Sequence, residues 1–144
     1  MACMARHESI TILIRALRRL GPERGIIAAC LYGSHARGEV RAASDIDVAV
    51  LLEDHSSLSA LDLLKLGQEL EEQTGLNNID LRPLNDAPLS ANGSIPTEGK
   101  LLFSGDDSAR VDFEVRIRGL HFDFLLRLRY HQKEFIHRTA EKGL

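Results

Sequence analysis

The chain has no tryptophan, and only two cysteines, two tyrosines and four prolines among its 144 residues. Each scarcity excludes something. Cys3 and Cys30 are too few for a disulfide framework, so a reduced, cytoplasmic protein is expected. Four prolines and eleven glycines leave no room for a proline-rich or collagen-like tract. No apolar run approaches the roughly 18 residues of a membrane span, and the first residues lack the apolar core of a secretory signal. Positive charge is also short. Eighteen Lys and Arg against twenty-one Asp and Glu give a formal net charge of −3, which offers no broad basic surface for nucleic acid. His7, His35, His55, His131 and His137 show no metal-ligand spacing with Cys or with one another.

What is present is ordinary globular material, 44% hydrophobic and 27% charged. The expectation is a single domain over 1–144, with a core over about 6–105 and a C-terminal helical segment over about 108–138. Ile10, Leu13, Ile14, Leu17 and Leu20 recur at helical spacing over 6–20, and Gly21-Pro22 stops that helix. Two short apolar runs, 26–32 and 46–52, read as buried strands. Ser56-Ser57 would cap a second helix running to about Gln73, with Leu58, Leu61, Leu64, Leu66 and Leu70 as its apolar positions and Gly75 at its end. A third strand is predicted over 78–82 before Pro83, and Gly99 to Phe103 reads as a further short apolar strand. The last helix, 108–138, carries Phe113, Leu120, Phe124, Leu128 and Phe135 as apolar contacts and has a candidate break at Gly119.

The informative segment lies between the first two strands. Gly33-Ser34 is followed, after ten residues, by Asp45-Ile46-Asp47. Glycine lets the backbone approach a phosphate closely, and Ser34 adds an N–H and a hydroxyl. A helical turn over 35–38 would point further N–H groups at an anion. On a strand, Asp45 and Asp47 share one face, their Cα atoms about 6.5 Å apart. Two bare carboxylates at that spacing resist joint ionisation, and a divalent cation removes the conflict. Oxygen donors favour Mg²⁺, which takes one or two protein carboxylates plus substrate phosphates. Arg37 and Arg41 are placed either to neutralise phosphate charge or to form ordinary salt bridges. Asp80, in an Ile-Asp-Leu context, is a third acid, with Asp86 in a turn-like Asn-Asp-Ala-Pro context as its rival. Arg82 shares the face of Asp80 and would touch a phosphate or pair with a carboxylate.

Gly-Ser, ten residues, then Asp-x-Asp resembles the signature of the DNA polymerase β-like nucleotidyltransferases. Leu31-Tyr32-Gly33-Ser34, Arg37-Gly38 and Ser44-Asp45-Ile46-Asp47 are similar to its minimal nucleotidyltransferase branch, which includes the antitoxins of HepT-type toxin–antitoxin pairs. The resemblance covers roughly residues 8–138. It departs in the 87–105 region, where Ser90-Ala91-Asn92-Gly93-Ser94-Ile95-Pro96 interrupts a stretch that is helical in relatives, while Gly99 to Phe103 still matches the end of the pattern.

The resemblance implies an α/β (α+β) nucleotidyltransferase core: a small mixed sheet flanked by helices, with a long C-terminal helix packed across it. It implies two Mg²⁺ ions on Asp45, Asp47 and Asp80, with these acids catalytic, and a triphosphate held by Gly33, Ser34 and Arg37. The implied reaction moves AMP from ATP to a tyrosine of a HepT-type HEPN ribonuclease toxin, with a hetero-oligomer as the assembly and neither nucleic acid nor membrane as direct partner. Two alternatives stay open: transfer to a small molecule, as in aminoglycoside nucleotidyltransferases, and an antitoxin that acts by binding alone. Arg116-x4-His121 echoes the Arg-x4-His-x-Tyr motif of HEPN ribonucleases, but residue 123 is Asp, and chance explains the match better.

Overall fold

A computed structural model of the chain describes residues 2–33, 45–53, 58–85 and 99–142. Helix α1 (Ala2–Leu20) comes first. Leu13, Ala16, Leu17 and Leu20 form its buried stripe, and Ile10 and Ile14 flank it. The Gly21 N–H bonds back to the Leu17 carbonyl at 2.8 Å, and a single 3-10 turn, Pro22–Arg24, then leads the chain into the sheet.

Four strands make one sheet, β1 (Ile26–Tyr32), β2 (Ile46–Leu52), β3 (Ile79–Pro83) and β4 (Lys100–Ser104), in the order β3-β2-β1-β4. β1 pairs antiparallel with both β2 and β4, while β2 and β3 are parallel. A parallel pair needs a long crossover. Helix α2 (Ala60–Thr74) supplies it and lies beside α1. The sheet is therefore covered on two sides by different material. Leu31, Val48, Val50, Leu66 and Leu70 belong to the cluster under α1 and α2. Ala28, Ala49 and Leu51 belong to a smaller one with Phe113 and Ile117 of helix α3 (Asp107–Glu141). Alternation along β2 sorts its residues between these clusters, and Asp47 falls on the α3 side. An irregularity between Ile26 and Ala28 resets β1 so that Tyr32 also reaches that side.

Two expectations are corrected here. The cap of α2 is Ser59, whose Oγ accepts from the Asp62 N–H at 3.2 Å while Asp62 accepts from the Ser59 N–H at 2.8 Å. This reciprocal box starts the helix later than Ser56-Ser57 would, and those two serines lie outside the described residues. The buried stripe, set by packing against α1 and β3, is Leu63, Leu66, Gly67 and Leu70, while Leu61 and Leu64 are exposed. The last helix runs from Asp107 to Glu141 without a break at Gly119, and only Phe113 and Ile117 are buried on it. Leu120, Phe124, Leu128 and Phe135 continue the same stripe but are exposed, because the helix outruns the sheet. The expected third and fourth strands appear as β3 and β4, each displaced by one residue.

Candidate active site

The functional side chains gather at the end of the sheet where β1 stops and β2 and β3 begin. Tyr32 stands opposite Asp47 in the β1–β2 ladder, and Asp47 stands beside Asp80 in the parallel β2–β3 ladder. Paired residues point to the same side, so three neighbouring strands present Tyr32, Asp47 and Asp80 in a row, strands about 4.8 Å apart. Asp45 precedes β2 by one residue and is exposed. The register is fixed by a bond from the Ile46 N–H to the carbonyl of Asn78, at 2.8 Å. Asn78 reaches it with φ 61°, a left-handed conformation that Asn tolerates better than most residues.

Gly33 closes the row from the end of β1. Its φ is 70°, and a Cβ added there would stand 2.5 Å from Oδ2 of Asp47. No real side chain is tolerated at that distance. Glycine is thus required twice over: for the backbone angle, and for the space the Asp47 carboxylate occupies. The close approach of Gly33 to the second acid follows from the backbone itself.

Asp80 accepts a hydrogen bond from Nε of Arg82 at 3.1 Å, both side chains being substantially exposed. This bond, with the nearby Tyr32 and Asp47, raises the Arg82 guanidinium further above its ordinary range. Burial pushes the Tyr32 phenol up; Arg82 pulls it down, and Asp47 and Asp80 push it up again. The phenol therefore stays protonated at neutral pH and stands as a hydroxyl among two carboxylates and a guanidinium.

Asp47 and Asp80 come together as expected, with Asp45 two residues upstream of Asp47. Ser34, Arg37, Arg41, Ser44 and Asp86 lie outside the described residues. Arg82 takes the carboxylate-pairing option of the two open to it. Tyr32 is the site residue that sequence reasoning missed; the signal was its place directly before Gly33, at a strand end on the same side as the acids. Among the described residues no three acidic, imidazole or thiol groups converge as a ready metal cage. The donors at hand are carboxylate oxygens, two in register on adjacent strands. They suit a hard divalent cation whose remaining ligands come from water or substrate.

Compared with known proteins, residues 17–108 match the family described as polymerase beta, nucleotidyltransferase. The chain belongs to that family. Over 53 residues it is 43% identical to the "Putative protein adenylyltransferase MJ0435" of Methanocaldococcus jannaschii. That stretch is 37% of this chain and 55% of the relative, so the chain spans about half the length of the curated relative it matches. Among solved structures, a chain of a toxin–antitoxin complex with AMP-PNP superposes with a TM-score of 0.64 at 24% identity, over 91% of this chain and 98% of that one. A chain of the complex between a tri-AMPylated Shewanella oneidensis HEPN toxin and an MNT antitoxin gives 0.61 at 23%, over 94% and 98%. A mutant of the MntA–HepT toxin–antitoxin gives 0.61 at 26%, over 88% and 94%. The mixed sheet with its long last helix is thus the nucleotidyltransferase fold that the sequence motif implied.

Proposed function

We propose that this nucleotidyltransferase is the antitoxin of a toxin–antitoxin pair and transfers AMP from ATP to a tyrosine of a HEPN-domain, HepT-type toxin, silencing it. The observation that carries the reading is the meeting of Gly33, Asp47 and Asp80 at one sheet end in a chain of this family. The similarity to a protein adenylyltransferase and the kinship of fold with toxin–antitoxin chains, one holding AMP-PNP and one beside an AMPylated toxin, favour AMP and a protein acceptor over a small molecule.

The chain's own residues divide the work as follows. Gly33 and Ser34 would hold the triphosphate, and Arg37 would offset its charge. Asp45, Asp47 and Asp80 would hold two Mg²⁺ ions. Ions held there would supply charge neutralisation for the phosphates and lower the pKa of the acceptor hydroxyl. The acceptor tyrosine oxygen bonds to the α-phosphorus as the bond to the bridging oxygen breaks. Pyrophosphate leaves with that electron pair, and Asp80 receives the phenolic proton. Arg82 must let go of Asp80 for this, and an exposed pair of this kind holds it by only about 0–1 kcal/mol. Catalysis is mainly positioning and charge neutralisation, as in phosphoryl transfer generally.

The test is incubation with each labelled nucleoside triphosphate, Mg²⁺ and a HEPN-domain, HepT-type protein. The expected result is label from the α-phosphate of ATP on a toxin tyrosine, its loss with Asp47→Asn, and a ribonuclease that stays silent after the two proteins are separated. Silencing without any nucleotide on the toxin would replace this reading with inhibition by binding alone.

A further inference from the structure

The candidate site has two unlike ends. On β3, Asp80 is paired with the Arg82 guanidinium at 3.1 Å. On β1, two strand spacings and roughly 10 Å away, stand Tyr32 and Gly33. Asp47 lies on the strand between them and its carboxylate leans toward β1, with Oδ2 2.5 Å from where a Cβ on Gly33 would stand. The Tyr32 ring packs against the cluster that holds Phe113 and Ile117, which fixes it in place. A phenylalanine would fill that packing equally well. The hydroxyl is the part that the fold does not use: among the described residues it has no hydrogen-bond partner. A half-buried hydroxyl in that position is unfavourable unless water or a ligand pairs with it.

Transfer at phosphorus gives the two ends different work. The attacking and departing oxygens lie on opposite sides of the α-phosphorus, roughly in line. In the reading above Asp80 takes the acceptor proton, so the acceptor approaches from the β3 end. Departure is then toward β1, the end that carries Gly33. As the bond breaks, negative charge grows on the oxygen that bridged the α- and β-phosphorus. A fixed donor aimed at that place stabilises the transition state more than the bound nucleotide. Carboxylates would repel the same charge, and the Arg82 guanidinium is held at the other end by Asp80. Tyr32 is the side chain of the row that can supply a neutral donor there.

We infer that Tyr32 is a catalytic residue on the leaving-group side: its hydroxyl donates a hydrogen bond to the pyrophosphate as it departs. This deepens the reading proposed above and rests on it. The bond from the acceptor oxygen to the α-phosphorus forms, the bond to the bridging oxygen breaks, and its electron pair leaves with pyrophosphate. The acceptor proton goes to Asp80, and the phenolic proton stays on Tyr32. The same placement excludes Tyr32 as an acceptor of AMP, because its oxygen stands on the departing side.

The test compares wild type, Tyr32→Phe and Arg82→Ala on ATP, its β,γ-methylene analogue and its β,γ-difluoromethylene analogue. The methylene compound releases the most basic leaving group of the three and the difluoromethylene compound the least. Single-turnover rates are read from adenine-labelled AMP wherever it goes, onto a HEPN-domain, HepT-type protein or into water. Tyr32→Phe should keep its melting temperature and bind ATP within about threefold of wild type, since the bridging oxygen carries little charge before transfer. Its rate with ATP should fall about 10–100-fold. The loss should be at least ~3-fold larger with the methylene than with the difluoromethylene analogue. Arg82→Ala, at the acceptor end, should change all three rates by one common factor. Equal losses on the three nucleotides in Tyr32→Phe, or no loss, overturn the inference. So does a leaving-group dependence that appears in Arg82→Ala instead, and so does AMP found on Tyr32 of wild type. Leaving-group dependence with labelled AMP only in water keeps the role of Tyr32 and overturns the protein acceptor. Transfer to the partner with equal losses does the reverse, and wild type that cleaves none of the three nucleotides overturns both.

Discussion

At Gly33 a single missing Cβ holds the site open. Alanine there meets two costs: a left-handed backbone angle, worth about 1–2 kcal/mol, and a contact of 2.5 Å with the Asp47 carboxylate. The carboxylate yields more easily than the backbone, so Gly33→Ala should lose about a hundredfold in AMP transfer, the scale of a 1 Å misplacement, while unfolding with a destabilisation of only about 1–2 kcal/mol. Steady-state transfer rates beside urea unfolding check this; a variant as active as wild type would show that Asp47 is not needed where it stands. Cys30 offers a different residue-scale test. Burial pushes its thiol up from 9.0 to about 11, with Glu114 adding to the effect and Arg110 opposing it. The unfolded thiol ionises first, near pH 9, so the stability is present below about pH 9 and is lost as pH rises toward 11. The difference amounts to up to about 2–3 kcal/mol. Urea unfolding at pH 8 and pH 11 should show a smaller alkaline loss in Cys30→Ala than in wild type. Equal losses would mean that the thiol is not held neutral by the fold.

Elements are where the sequence speaks clearly about strands and less clearly about where helices start and stop. The two apolar runs became β1 and β2 with their predicted bounds, because a half-turn's worth of glycine, serine and acid marks their ends sharply. The stripe of α1 was legible too, since Gly21-Pro22 fixes its stop. The stripe of α2 was legible only in part: Leu66 and Leu70 are buried, but the segment is leucine-rich on several sides and packing against α1 and β3 decides which face turns inward. Ser59 and Asp62 form the cap, and three serines lie within four residues of one another, so the sequence offers several caps. Ser59→Ala removes the acceptor for the Asp62 N–H and should cost about 1 kcal/mol, whereas Ser57→Ala should change stability by less than ~0.5 kcal/mol. Thermal unfolding of the two variants compares them, and the reverse order would put the cap back where residue spacing first suggested it. The candidate site row was half legible. Asp47 and Asp80 could be paired on motif grounds, but the neighbouring Tyr32 needed the β1–β2 register, which is set by a β-irregularity near Ile26 that leaves no mark in the composition.

Seen whole, the last helix outruns the folded core, and its periodicity conceals the division. Phe113, Ile117, Leu120, Phe124 and Leu128 form one unbroken stripe in the sequence, which reads as a helix packed along its length. Burial stops at Ile117 because the sheet is only four strands wide and its strands five to seven residues long. No local pattern encodes that limit; it is a property of the assembled sheet. The consequence can be measured by ending the chain after Phe122, which keeps both buried residues of α3 and one further turn to hold them. The deleted residues contribute nothing to either apolar cluster. The shortened chain should therefore unfold within ~1 kcal/mol of the full one, the range of changes away from core features, and its melting temperature should shift by no more than about 4 °C. Helical ellipticity should fall, because 19 described residues of α3, from Asp123 to Glu141, are gone. Binding of an apolar dye should fall with it, since the exposed phenylalanines and leucines leave together. ATP should bind as before. A shortened chain that cannot fold would mean that the distal half of α3 belongs to the cooperative core after all.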